Sequence, residues 1–173
     1  MFDRDSYALW IIPEDDAYAL TKGYIDKLSD IYHLPKFEPH ITVLSDIHSP
    51  EIPEMCEFAG GLTPFRVRLD NKVEYPDAYF RSLHLTAHET PELMDVFSSV
   101  RERFVSIGEA YFPHLSLAYS GFNLQTKRKM AQELGDVPEI EFEVRRLTLF
   151  NASPELPVSS WKMIEQFPFG GTL

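Results

Sequence analysis

The sequence predicts an α+β fold of two similar halves, each setting antiparallel strands against flanking helices. Three observations carry that prediction. Short apolar or alternating runs are separated by amphipathic stretches in the order strand, helix, strand, a strand pair, then helix, strand, helix and two strands. Strands that pair through short turns favour antiparallel sheet over a doubly wound parallel one. Finally, one five-residue pattern occurs twice, as Pro39-His40-Ile41-Thr42-Val43 and as Pro113-His114-Leu115-Ser116-Leu117. A length of 173 residues suits one domain, 1–173, or two small lobes sharing a core.

Each element has a local reason. Tyr7 to Ile12 is an apolar run stopped by Pro13, hence a first strand. Glu14 to Tyr32 places Ala17, Leu20, Tyr24, Leu28 and Ile31 at near-helical spacing, and the acids Glu14, Asp15 and Asp16 suit the positive end of a helix dipole. Pro35 and Pro39 bracket a loop before a second strand, His40 to Leu44. Pro50, Pro53, Gly60 and Gly61 surround a short helix within residues 46–64. Phe65 to Tyr75 alternates as a strand, turns at Pro76-Asp77 and returns as Tyr79 to Ala87.

Thr90-Pro91-Glu92 is a helix start, with Thr90 as N-cap and Pro91 in the first helical position. That helix is expected to run to about Val105, with Gly108 ending the segment. His114 to Tyr119 is the next strand, and Thr126 to Leu134 a helix stopped by Gly135. Two closing strands follow, Ile140 to Asn151 and Ser160 to Phe167.

Composition narrows the function classes. Hydrophobic residues make up 44% and aromatics 13%, enough for a packed core and too many for a disordered chain. No apolar run approaches the length needed to span a bilayer, and Met1-Phe2-Asp3-Arg4-Asp5 lacks the features of a signal peptide. An intracellular protein with no membrane partner is the expectation, in the cytoplasm first and with the nucleus as the alternative. The lone Cys56 offers neither a disulfide framework nor a cysteine metal site.

Formal net charge is −11, from 16 basic and 27 acidic residues, with no basic stripe. Long nucleic acid is therefore an unsuitable partner, because such binding depends on cations that displace counterions. The densest basic pieces are Lys127-Arg128-Lys129, which reads as a solvated helix face, and Arg145-Arg146. A small anion remains compatible, since a few local donors hold one phosphate against an unfavourable overall field.

The repeated motif carries the chemistry. Side chains alternate along a strand, so His40 and Thr42 share one face while Ile41 and Val43 share the other. His114 and Ser116 stand in the same relation to Leu115 and Leu117. Imidazole titrates near neutrality, so a histidine pair supplies one base and one acid. Hydrolysis of a cyclic phosphodiester requires both, and Thr42 and Ser116 are suited to donate to non-bridging phosphate oxygens. That chemistry calls for no metal or other cofactor.

Beyond the motif, Ala8-Leu9-Trp10 with Pro13, Phe37-Glu38 before Pro39-His40, Tyr79-Phe80, Phe112 before Pro113-His114, Tyr119 and Trp161-Lys162 fall in order along nearly the whole chain. Together these residues resemble the 2H phosphoesterase superfamily, and within it the cyclic phosphodiesterase branch. The resemblance implies two pseudo-symmetric lobes facing a cleft, with His40 and His114 as the catalytic pair. It also implies Thr42 and Ser116 on the phosphate, and an aromatic, Tyr119, near the substrate. By similarity His114 is the water-activating base and His40 the acid. The implied reactions are opening of nucleoside 2′,3′-cyclic phosphates to 2′-phosphates and of ADP-ribose 1″,2″-cyclic phosphate, a tRNA-splicing by-product, to ADP-ribose 1″-phosphate.

A monomer acting on a small cyclic nucleotide is the expectation. The rival readings are a 2′-5′ phosphoesterase or ligase-like enzyme of RNA ends, and a nucleotide-binding module without turnover. His33, His48, His84 and His88 read as ordinary core or surface residues, and the four-residue spacing of His84 and His88 falls on strand and turn, not helix. Tyr119 is compatible with cleft wall and with core, whereas Trp10 and Trp161 read as core.

Overall fold

The structure is a computed structural model that describes residues 6–104 and 112–170. In chain order its elements are β1 (Tyr7–Ile11), α1 (Asp15–Tyr32), β2 (Ile41–Ile47), α2 (Ile52–Gly60), β3 (Phe65–Glu74), β4 (Leu83–Ala87) and α3 (Pro91–Phe104). Then follow β5 (His114–Ala118), α4 (Leu124–Leu134), β6 (Ile140–Val144), β7 (Arg146–Asn151), a 3₁₀ turn at Val158–Ser160, and β8 (Lys162–Pro168). Among the described residues the eight strands form one sheet in the order β6-β3-β4-β5-β2-β1-β7-β8. Every neighbouring pair is antiparallel.

The order has an internal symmetry. Outward from the centre, β2-β1-β7-β8 matches β5-β4-β3-β6, and the two halves join where Ile41 pairs with Leu115. The halves therefore share a continuous sheet. The helices lace them together: α1, which follows β1, packs on β5 of the other half, and α3, which follows β4, packs on β2.

One face of the sheet makes the main core. Ile11, Ile41, Leu85 and Leu115 are fully buried there against α1 residues Ile25 and Leu28, α3 residues Leu93 and Val100, and Met130 of α4. Burying one such side chain contributes roughly 1.5–3 kcal/mol, so this layer holds the central strands in register.

That register fixes the other face. His84 lies opposite Ser116, Thr86 opposite His114, and Trp10 opposite Thr42. Extending the Ile41–Leu115 pair by one residue in each direction sets His40 across from Ser116 and Thr42 across from His114. Antiparallel pairing thus interlocks the two motifs, each histidine facing the other's hydroxyl.

Most elements stand where the sequence places them, and the departures have local causes. The strand expected over Tyr79 to Ala87 starts only at Leu83. Residues 79–82 are instead held in a turn: Tyr79 O accepts from Ser120 N at 3.3 Å, and the Ser82 and Ser120 hydroxyls share a hydrogen bond of 2.5 Å. Lys127 is no solvated residue. Its side chain is buried, and Nζ donates to the carbonyls of Pro76 (2.8 Å) and Ala78 (3.3 Å), which ties α4 to the segment leading into this turn.

The single strand expected over Ile140 to Asn151 is two strands parted at Arg145, β6 pairing with β3 and β7 with β1 and β8. Helix α4 begins at Leu124 because the Asn123 side chain accepts from Thr126 N at 2.9 Å, which caps it earlier than expected. Thr90 caps α3 as expected, its hydroxyl accepting from Leu93 N at 3.3 Å. Val105 and Gly108 lie outside the described residues.

Candidate active site

Both motif histidines stand on the face opposite the main core and line one cavity of about 580 Å³. Thr42, Ser116 and Tyr119 line it too, so all five site residues expected from the sequence come together. The two rings are fixed by the same device. His40 Nδ1 lies 2.6 Å from the carbonyl of Glu38, and His114 Nδ1 lies 2.8 Å from that of Phe112. A carbonyl only accepts, so each Nδ1 carries the proton and donates. Each Nε2 is then the nitrogen left for chemistry.

The prolines explain why this device occurs twice. Pro39 and Pro113 sit between acceptor and ring, and proline holds the preceding residue in extended conformation. An extended Glu38 or Phe112 turns its carbonyl toward the imidazole two residues on.

The surroundings of the two rings differ. His40 is buried: the Trp10 indole stacks on it at 3.6 Å between ring centroids and 9° between planes, and Phe37 meets it edge-on at 6.1 Å. The Tyr119 hydroxyl lies 3.3 Å from His40 Nε2 and donates to it in the neutral state. Burial pushes the His40 imidazole down to about 4, against an upward pull from the Glu38 carbonyl and with a smaller downward push from His114.

His114 is half-buried and also lowered, by burial first and by the Arg81 guanidinium, against the pull of the Phe112 carbonyl. Both shifts favour the neutral ring. Burial drives the Tyr119 phenol far above its ordinary range, so it stays a neutral donor.

The hydroxyls differ as well. Ser116 Oγ donates to the Phe80 carbonyl at 2.8 Å, which joins the motif to the turn at residues 79–82. Phe80 and Arg81 from that turn line the cavity, as does Arg101 of α3. Among the described residues lining the cavity, Asp46 is the acid beside these two arginines. Neither basic cluster singled out in the sequence lines it.

The sequence reading missed several residues. Trp10 and Trp161 are not merely core: both line the cavity, Trp10 against His40 and Trp161 at 6.3 Å from Phe80. Strand alternation held the signal for Trp10, since it pairs with Thr42 and so must share its face. Tyr119 is both wall and core, buried yet with its hydroxyl at His40. Among the described residues, no three or more His, Cys, Asp or Glu side chains are grouped to share a metal ion.

The family model for cyclic phosphodiesterase-like proteins matches residues 6–169, nearly the whole chain. The chain belongs to that family. Membership makes it a hydrolytic enzyme of the cyclic phosphodiesterase class. This cyclic phosphodiesterase-like protein is 26% identical to a cyclic phosphodiesterase of Arabidopsis thaliana over 171 residues, 93% of each chain. It is 27% identical to a 2′,3′-cyclic-nucleotide 3′-phosphodiesterase of Kluyveromyces lactis, covering 79% of this chain and 77% of that one.

Its fold matches Escherichia coli LigT in complex with NADP+ at a TM-score of 0.63 and 11% identity, covering 96% of this chain and 98% of that one. A protein of Thermus thermophilus matches at a TM-score of 0.61 and 17% identity, over 96% and 98% of the two chains. No helix among the described residues is long and apolar enough to cross a membrane.

Proposed function

We propose that this protein hydrolyses small cyclic phosphodiesters, opening nucleoside 2′,3′-cyclic phosphates to 2′-phosphates and ADP-ribose 1″,2″-cyclic phosphate to ADP-ribose 1″-phosphate. One observation carries the reading. Two imidazoles on adjoining strands of opposite halves line one cavity, each with Nδ1 committed to a carbonyl and Nε2 left over. The cavity volume of about 580 Å³ falls within the roughly 300–1,000 Å³ usual for small-ligand sites.

In this mechanism His114, the less buried ring, takes a proton from the attacking water through Nε2. The water oxygen bonds to phosphorus, the P–O3′ bond breaks, and His40 Nε2 gives its proton to the leaving O3′. In the ADP-ribose substrate the bond broken is P–O2″. Turnover leaves His114 protonated and His40 neutral, and exchange with water resets the pair. Each group is worth about 10²–10⁴-fold when it acts as general acid or base.

His40 must enter the cycle protonated although it is neutral in the empty site. The phosphodiester anion supplies what is missing, because a negative charge beside imidazole favours its charged form. Thr42, which lines the cavity, donates in this mechanism to a non-bridging oxygen, where charge grows in the transition state. Arg81 and Arg101 favour an anionic substrate, and a second phosphate group suits them. The exposed aromatic rings of Phe80 and Phe112 offer flat surface for a base.

The test is direct. Purified protein is incubated with 2′,3′-cyclic AMP and, separately, ADP-ribose 1″,2″-cyclic phosphate in EDTA, with products followed by phosphorus NMR. The 2′-phosphate and the 1″-phosphate are expected, and both lost with His40→Ala or His114→Ala. Binding without turnover, or unimpaired turnover in either variant, overturns the reading.

A further inference from the structure

Beside the catalytic pair stands a third imidazole. His84 lies on β4, opposite Ser116 and diagonal to His114, on the same face of the sheet. Its ring meets that of His114 at 5.2 Å and 71°, edge to face, and that of Phe112 at 5.5 Å and 86°. It is 3% exposed and is not part of the cavity wall, so it sits behind His114. Neither ring nitrogen makes a hydrogen bond of ordinary geometry, although the Arg81 backbone offers a weak contact.

A buried ring without partners costs stability, which sets His84 apart from a core residue chosen for packing. From these contacts we infer that His84 is a positioning residue for His114, holding the base's ring in place and shutting water from its back. The inference rests on His114 being catalytic, as proposed above. It touches neither substrate nor reacting atoms.

Three mutual contacts support this role. Phe112 supplies the carbonyl that holds His114 Nδ1, and its ring lies 5.5 Å from His114 and the same distance from His84. The three rings therefore brace one another, and His84 is the member without access to solvent. The charged and titratable groups facing His84 are His114 on β5, Arg81 in the turn before β4, and Glu74 on β3. His114 and Arg81 act with burial to keep it uncharged, while Glu74 pulls weakly the other way. An uncharged ring is what a neighbouring base needs, since a second cation would oppose the proton it must accept.

The experiment compares His84→Ala, which opens a space behind His114, with His84→Phe, which keeps an aromatic ring and removes the nitrogens. Steady-state kinetics on 2′,3′-cyclic AMP across pH are combined with NMR titration of the His114 ring in the absence of substrate. His84→Ala is expected to lower kcat about tenfold with KM within twofold. Its His114 titration should move upward, because water now reaches the ring. His84→Phe is expected to restore kcat to within threefold of the parent and to leave the His114 titration in place.

Unchanged kcat and unchanged titration in His84→Ala overturn the inference. So does an equal loss in both variants with the His114 titration unmoved, which would mark a purely structural residue. His114→Ala serves as the control: if it remains active the catalytic reading has failed, whereas an inactive His114→Ala beside a normal His84→Ala sinks only the role of His84.

Discussion

The halves contribute the same motif and install it in opposite surroundings. His40 is packed between Trp10 and Phe37, out of water, with a phenol on its reactive nitrogen. His114 is half-open, with Phe112 and His84 behind it and a guanidinium nearby. The backbone gives both rings one tautomer, so the difference between them comes from neighbours alone. Pseudo-symmetry supplies two equivalent imidazoles, and their environments break that equivalence, as the proposed mechanism requires of an acid and a base.

The strongest attempt to break the comparison removes the rings. His40→Ala and His114→Ala are each expected to lower kcat by about 10²–10⁴-fold, with circular dichroism unchanged. The double variant should be little worse than the poorer single one, because acid and base act in one step. Full additivity would show the two acting independently.

The second effect is on stability and belongs to His40. Its folded value, about 4, lies below the ordinary value of 6.5, so the unfolded chain binds more protons between them. Stability is then complete above the ordinary value and is lost as pH falls toward 4, by up to about 3 kcal/mol. Urea melts at pH 7 and pH 4.5 should show the loss in the parent and a smaller one in His40→Gln.

The hydroxyls come next. Thr42→Ala is expected to lower kcat about 10- to 100-fold with weaker phosphate binding, on the scale of removing one oxyanion donor. Ser116→Ala should cost less in kcat and more in KM, because its hydroxyl already holds Phe80 at 2.8 Å. Equal kinetic losses in the two variants would erase this asymmetry. The smallest effect is at Lys127, remote from the cavity. Lys127→Met should loosen the turn at residues 79–82 and raise KM a few-fold with kcat within twofold.

Much of this was legible in the chain. The period of Glu14 to Tyr32, the Thr90-Pro91 start of α3 and the alternation of Phe65 to Tyr75 are local signals, and the structure keeps them. That His40, Thr42, His114 and Ser116 would line one surface was legible because histidine and hydroxyl stand two residues apart at the start of an extended run. What stayed hidden depends on distant partners. Nothing in Tyr79-Phe80-Arg81-Ser82 says that Ser120 will hold its turn, or that Lys127 will hold the residues leading into it. The break at Arg145 is invisible in an alternating run, for it marks only where the chain passes from the strand paired with β3 to the strand paired with β1 and β8. His84 reads as any strand histidine until the register sets it diagonal to His114.

The crossing of α1 and α3 bears on how the groove opens and how the chain folds. Each helix roofs a strand belonging to the opposite half, so prising the halves apart would strip both central strands of their apolar cover. Substrate must then enter a crevice of fixed width, with adjustment confined to its rim. It also follows that neither half is a viable fragment: cut at the midpoint, each piece would carry a helix whose bed lies on the other. Folding must wait for long-range closure, and a single, slow, cooperative transition is the signature to look for.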